Sequence, residues 1–280
     1  MSSELEQIRD QQRETWDKFS AGWKKWDHHV LAWLAPFGDA LIAGARLRED
    51  SIVLDVAAGT GEPGLTIATR VPRGKVVVTD LADRMLDVAA ENAARRGIRN
   101  FETRQCDAGA LPFTDNTFDA VTCRFGFMFF PDVKACVKEL VRVAKPHARV
   151  CAAVWSTPDK NPWATTVMGT IAKNVDMPPP PGAPGLFRCG APGYMSAAFR
   201  DAGLRNISEQ EIASDLKFDS PEEYWSFMTE IAAPVVAGLG KADEAARQTI
   251  KSTVLDLAKQ SSAGGKPRFH SAAVTIRGEK

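Results

Sequence analysis

The residues with the clearest chemistry in this 280-residue chain lie in one stretch, VLDVAAGTGEPG at 53–64. Gly59, Gly61 and Gly64 spell GxGxxG there. Glycines at that spacing permit a tight turn and let a ligand approach the backbone, and the helix that follows turns its N-terminus toward the ligand. The string alone does not separate a dinucleotide from other nucleosides. The acidic residues around it do. Asp55 lies four positions before Gly59, where a carboxylate repels a pyrophosphate and attracts a cation. Asp80, about twenty residues past the glycines in VVVTDL, stands where a carboxylate accepts from ribose hydroxyls. Asp107, in QCDAGALPF, is placed to accept from an adenine amino group. A single aspartate at a strand end also serves as a helix N-cap or turn residue. Three in this order, with the glycine turn, point to one crevice for a nucleoside with a positively charged tail. S-adenosylmethionine meets that description, and NAD does not.

Those residues need strands and helices to gather them. SIVLDVAA, KVVVTDL, NFETRQCDA, FDAVTCRF and ARVCAAVWS read as strands. GEPGLTIATRV, ADRMLDVAAENAARRG and DVKACVKELVRVAK read as helices, with Pro63 in a first turn and Gly97 closing the second. Strands alternating with helices predict an α/β fold, a parallel sheet with helices on both faces and right-handed crossovers. Residues 4–45 are helical by period, with a break predicted at Pro36 and Gly38 before a short helix DALIAGARL. Beyond Trp155 comes a helix and a loop with Pro178 to Pro181, a stiff connector or the rim of a lid. A helix YMSAAFRDAGL and a strand LRNISEQEI follow, then a helix start with Ser220 as N-cap, Pro221 and Glu223. DEAARQTIKSTVLDLAKQ is helical and PRFHSAAVTIRG is a closing strand. The division expected is a helical cap at 1–45, a nucleoside-binding core at 46–156, and acceptor-lid helices inserted among the last strands at 157–280.

Composition narrows the partners. Lys+Arg and Asp+Glu both number 35, so the formal net charge is zero, with no basic stripe of the kind that neutralises nucleic-acid phosphates. Hydrophobic residues at 44% and charged residues at 25% describe a folded chain rather than a disordered one. The polar first residues carry no secretory h-region, and no run reaches about 18 apolar residues, so no membrane span is expected. Cys106, Cys123, Cys136, Cys151 and Cys189 form no CxxC pair and read as free thiols in a reducing cytoplasm. No metal-ligand spacing is present. A homo-oligomer is compatible with this composition.

Four blocks, VLDVAAGTGEPG, VVVTDLADRML, RQCDAGALPFTDNTFDAVTCRFGFMFFPD and ELVRVAKPHARVCAAVW, together resemble the class I S-adenosylmethionine-dependent methyltransferases, in the small-molecule group of ubiquinone/menaquinone-type methylases. The resemblance covers about residues 45–156. It implies a Rossmann-like, doubly wound, seven-stranded and mostly parallel sheet whose last strand is antiparallel, with helical lid elements over the site. It implies that Asp55 orients the methionine amino group, that Ala57, Gly59 and Gly61 line methionine and ribose, and that Asp80 binds the ribose. Leu81 and Met85 would lie beside the adenine, Asp107 would bind its amino group with Ala108 following, and Arg124 and Phe125 would contact the methionine end through backbone. One departure is Pro146-His147-Ala148, where many relatives carry a Gly-Gly turn; it lies far from the expected cofactor, and His147 is expected at the surface.

Methyl transfer is an in-line displacement that needs alignment, exclusion of water and sometimes a base. Candidate bases are His28 and His29 in WKKWDHHVLAW, with Asp27 to orient one of them. Trp23 and Trp26 are candidates to shield a sulfonium or stack on an acceptor, and Phe129 to line its pocket. The aromatic richness after the fourth strand points to a small, largely apolar, aromatic or quinol-like acceptor methylated at carbon, oxygen or nitrogen. Competing readings are a nicotinamide-dependent dehydrogenase using the glycine turn and a non-catalytic nucleoside-binding protein of the same fold. Asp55 argues against the first, and the intact turn and carboxylates against the second. An RNA methyltransferase is disfavoured by the neutral charge.

Overall fold

The computed structural model describes residues 3–176, 183–263 and 266–280. Seven long strands form one sheet: β1 (Ile52–Val56), β2 (Lys75–Asp80), β3 (Phe101–Gln105), β4 (Phe118–Arg124), β5 (Ala144–Trp155), β6 (Arg205–Lys217) and β8 (Lys266–Glu279). A two-residue strand, β7 (Ser262–Ala263), pairs with the start of β8. The order across the sheet is β3-β2-β1-β4-β5-β8-β6, and only β8 runs antiparallel to its long neighbours β5 and β6. The central strands form because they are rich in apolar residues and covered on both faces, as in β1, where Val53, Leu54, Asp55 and Val56 are all buried, whereas the edge strands β3 and β6 keep exposed polar residues. The chain winds outward from β1 through β2 to β3, then returns to place β4 on the other side of β1. That reversal opens a crevice at the carboxyl ends of β1 and β4, where open α/β sheets bind ligands.

Helices cover both faces: α1 (Glu4–Lys25), α2 (Asp27–Gly44), α3 (Gly64–Arg70), α4 (Asp83–Arg95), α5 (Val133–Val143), α6 (Pro162–Asn174), α7 (Tyr194–Asp201), α8 (Pro221–Ile231), α9 (Ala233–Lys241) and α10 (Glu244–Gln260). Ser220 caps α8 as predicted, its hydroxyl accepting from the Glu223 N–H at 3.1 Å. Among the described residues no helix is long and apolar enough to cross a membrane.

The N-terminal helices differ from the sequence expectation. The break falls at Trp26, and α2 runs through Pro36 without ending. Tertiary packing overrides the local rule, since Val30, Trp33, Leu34, Phe37 and Leu41 bury one face of α2. Carbonyls ahead of the proline also find donors from elsewhere in the chain. The Ser214 hydroxyl donates to the Trp33 carbonyl at 2.7 Å, and the Arg124 guanidinium to the Leu34 carbonyl at 3.4 Å. The run after Ser220 is two helices, divided at Ala232. The proline run Pro178 to Pro181 lies outside the described residues.

An aromatic column fixes the ends of β4 and β5 to α2. Phe125 stacks on Trp155 at 4.1 Å, Trp155 on Trp33 at 5.2 Å, and the Trp33 indole donates to Ser271 at 2.9 Å. The C-terminal end of α1 is clamped to α8, where Glu230 accepts from Lys25 at 2.7 Å and from the Trp26 indole at 2.9 Å. The two backbones touch at Gly22, where a Cβ would lie 2.0 Å from the Glu230 carbonyl oxygen. Gly22→Val therefore forces α1 off α8. The expected result is a loss of about 1–3 kcal/mol, read as a lower thermal midpoint together with faster proteolysis within residues 4–25. An unchanged midpoint and cleavage pattern would contradict this close crossing.

Candidate active site at the strand ends

The turn after β1 is shaped by its sequence. Ala57 and Gly59 both have φ of +54° and Gly61 has φ of +110°, left-handed values that favour glycine. A Cβ at Gly59 would meet nothing within 4 Å, whereas one at Gly64 would lie 2.6 Å from Val78 Cγ1. Gly64 thus lets α3 pack on β2, while Gly59 faces open space where a ligand can approach the backbone.

Asp55 is wholly buried at the end of β1. Its Oδ1 accepts from the Thr122 hydroxyl at 2.7 Å and its Oδ2 from the Gly64 N–H at 2.9 Å. Burial raises its pKa to about 7, although both hydrogen bonds and the nearby Arg124 pull the other way. Such a carboxylate gains most from a cation brought into the same dry space. Asp80 closes β2 with its Oδ2 on the Gly59 N–H at 2.9 Å and its Oδ1 on the Ala82 N–H at 3.0 Å. Each oxygen keeps a lone pair for a further donor. Burial pushes this pKa up too, opposed by the Ala82 and Gly59 N–H groups. Asp107 accepts from the Gly109 N–H at 2.8 Å, and Arg9 of α1 reaches it at 3.9 Å. Leu81 is half-buried beside Asp80, while Met85 and Ala108 are buried.

At the end of β4, Phe125 takes φ of +61° and its N–H donates to the Ala153 carbonyl at 2.8 Å. Only its carbonyl remains for the backbone contact expected there. The turn that follows packs on the glycine loop, for a Cβ at Gly126 would stand 2.7 Å from that of Ala57 and 3.0 Å from Phe130. Phe129, on this turn, meets Trp16 edge-on at 5.0 Å, and Trp16 meets Trp23 at 6.0 Å. Among the described residues the buried Trp23 indole Nε1 has no hydrogen-bond partner. Beside Trp16, Asp17 accepts from the Arg84 N–H in the first turn of α4 at 3.0 Å. Helix α1 therefore passes, at Trp16 and Asp17, between the Phe129 turn and the start of α4.

The other predicted residues lie elsewhere. Trp26 turns from Trp23 toward α8, with its indole on Glu230 and its ring against Phe227 at 5.4 Å. His28 is exposed. The His29 Nε2 lies 2.5 Å from the Lys217 carbonyl, and its ring stacks on Phe218 at 4.9 Å. Neither histidine joins the strand-end carboxylates, because this part of α2 faces the end of β6 and Phe227, Trp33 and Trp155 intervene before Phe125. Asp27 orients neither of them; it pairs with Arg95 at 3.3 Å and Asn92 at 3.4 Å on α4. His147 is at the surface as expected. Trp16 and Arg9 are additions to the sequence-derived set. The seven-residue spacing of Trp16 and Trp23 puts both on one helix face and could have signalled the first; nothing local signals Arg9.

Comparison with known proteins follows the same segments. Residues 53–147 match the methyltransferase domain family. An uncharacterized protein of Mycobacterium tuberculosis is 36% identical over 138 residues, 49% of this chain and 49% of that protein. A demethylmenaquinone methyltransferase of Thermus thermophilus is 42% identical over 110 residues, 39% of this chain and 49% of that enzyme. The chain thus spans about half the length of these curated relatives. The crystal structure of the YcgJ protein from Bacillus subtilis shares the fold with a TM-score of 0.58, at 22% identity over 88% of this chain and 98% of that one.

Asp55 makes stability depend on pH in a defined direction. Its folded pKa of about 7 exceeds the ordinary 3.8, so between those values the folded state binds more protons than the unfolded one. Its stabilising contribution is complete below about pH 4 and is lost as pH rises through 7. Asn at this position accepts from the Gly64 N–H and donates to Thr122 without titrating. The Asp55→Asn variant should therefore gain stability over the wild type progressively from pH 4 to 7, by up to a few kcal/mol, in urea unfolding of the ligand-free protein. A stability difference independent of pH would contradict the assignment.

Proposed function

We propose that this chain, whose residues 53–147 match the methyltransferase domain family, is a class I S-adenosylmethionine-dependent methyltransferase that methylates a small, largely apolar, aromatic acceptor of the quinol kind. The observation that carries the donor half is Asp55, a buried carboxylate poised for a cation beside the open face of Gly59. The residues fit the donor. Gly59 leaves room for methionine and ribose, while Gly61 packs toward Leu65 and Ala89 and Ala57 toward Gly126, so that these two line the turn through backbone; Asp80 offers its remaining lone pairs to the ribose hydroxyls, and Leu81 and Met85 flank the base. Asp107 takes the adenine amino group, for which Arg9 is a competing partner. When bound, S-adenosylmethionine supplies an electrophilic methyl on a sulfonium.

The acceptor half rests on Trp16, Trp23 and Phe129. Aromatic faces favour both a cationic centre and a flat acceptor. The buried Trp23 N–H lacks a partner among the described residues, which costs stability unless a ligand oxygen accepts from it. Helices α1 and α2 act here as a cap that excludes water, and the helices inserted among the last strands supply the remaining lid. Methylation of an activated aromatic carbon makes the smallest demand on a base, in keeping with histidines set away from the carboxylates. The Thermus relative is, by name, a demethylmenaquinone methyltransferase, and that name supports a quinol-like acceptor.

Calorimetric titration with S-adenosylhomocysteine tests the donor half. The wild type should bind, and Asp80→Ala should weaken binding by at least about tenfold, or about 1.4 kcal/mol. No binding at millimolar ligand overturns the proposal, and an unchanged Asp80→Ala affinity overturns the ribose assignment. A panel of aromatic and quinol acceptors with labelled donor tests the other half. Trp23→Phe keeps a ring but loses the N–H, so kcat/KM on hydroxylated acceptors should fall about fivefold to tenfold with unchanged S-adenosylhomocysteine affinity. Equal rates in the two proteins would remove Trp23 from acceptor binding.

A further inference from the structure

Arg124 is the last residue of β4, and its partly exposed guanidinium lies between α2 and the glycine turn. Nη1 would stand 3.7 Å from a Cβ at Gly38, and the same Cβ would lie 3.7 Å from Pro63. Among the described residues its one hydrogen bond is the long contact of Nη1 to the Leu34 carbonyl at 3.4 Å. Three carboxylates act on it through space, Glu62, Asp55 and Asp27, yet none among the described residues comes within ion-pair distance. Each is engaged elsewhere. Glu62 takes Arg96 at 2.5 Å and the Thr66 N–H at 3.1 Å, Asp55 takes Thr122 and Gly64, and Asp27 takes Arg95 and Asn92. Burial draws the Arg124 pKa below the ordinary arginine value, opposed by those three charges. A guanidinium carries five donors, and this one, partly exposed and with a single long contact among the described residues, keeps donors open to an arriving anion.

The position defines the anion. Thr122, which donates to Asp55, pairs with it across β1 and β4. Arg124 is two residues on, facing the same side of the sheet after about 7 Å of strand rise. A carboxylate waiting for a cation and a guanidinium waiting for an anion therefore stand side by side, the pattern that complements an α-amino-acid zwitterion. We propose that the Arg124 side chain binds the α-carboxylate of the methionyl tail while Asp55 takes its ammonium group, so that the crevice selects for an intact amino acid on the nucleoside. This rests on the donor site proposed above and replaces the backbone-only contact expected from the sequence. Arginine suits the task because its planar fork meets a carboxylate through two parallel hydrogen bonds.

The test is calorimetric binding of S-adenosylhomocysteine and of its decarboxylated thioether analogue to the wild type, Arg124→Gln and Arg124→Lys. The wild type should prefer S-adenosylhomocysteine by about tenfold or more. Arg124→Gln should lose that preference, with affinity for the decarboxylated analogue within about twofold of wild type, and Arg124→Lys should retain part of it. Failure of the wild type to discriminate overturns the proposal without any variant, so a variant that does not fold leaves it testable. An Arg124→Gln protein that loses affinity for both ligands equally, or for neither, also overturns it. If the wild type discriminates by neither carboxylate nor nucleoside and binds no adenosyl ligand, the donor-site reading itself fails.

Discussion

The site is organised around a carboxylate buried without a charged partner in contact. Asp55 has no exposed surface, and its hydrogen bonds come from neutral donors, the Thr122 hydroxyl and the Gly64 N–H. Holding an acidic group there costs free energy, which appears as its raised pKa. The surroundings follow from that constraint. Thr122 must come from the neighbouring strand, so β4 must pair with β1 in the observed register. Gly64 must bring its N–H to Asp55, and only a residue without a Cβ fits between Val78 and the Asp55 carboxylate.

The rest of the molecule holds these strand ends in place and covers them. The column Phe125–Trp155–Trp33 locks β4 and β5 against α2, which fixes where Arg124 leaves the sheet. Helix α1 is tied at one end to α8 through Glu230 and near its middle to α4 through Asp17. Those two attachments bring Trp16 and Trp23 to the Phe129 turn. In the proposed reaction such a cap aligns the acceptor and removes water, leaving the strand ends to hold the donor.

The sequence revealed this architecture unevenly, and locality is the reason. The β1 strand, its glycine turn and Asp55 are contiguous, so spacing alone identified them. Asp80 was found because strand, helix and strand recur at a regular interval. Pro36 misled because the buried face of α2 and donors from Ser214 and Arg124, far along the chain, outweigh a local helix-breaking rule. His28 and His29 drew attention for their side-chain chemistry, but the packing of α2 beside the end of β6 decides where they lie. Trp23 and Trp26 looked equivalent at three residues apart, yet the helix break at Trp26 sends the second ring to α8. Arg9 near Asp107 and Arg124 against the Leu34 carbonyl depend on contacts between distant segments that no local pattern encodes.

In the proposed site Asp55 receives the ligand's cation, and proton release on binding S-adenosylhomocysteine, measured near pH 6 from the buffer dependence of the calorimetric enthalpy, tests this. With a ligand-free pKa of about 7, Asp55 is largely protonated at that pH, and an arriving ammonium group should displace its proton. The wild type is predicted to release a substantial fraction of one proton, and Asp55→Asn close to none. Binding without proton release in the wild type, or with equal release in both proteins, would contradict it.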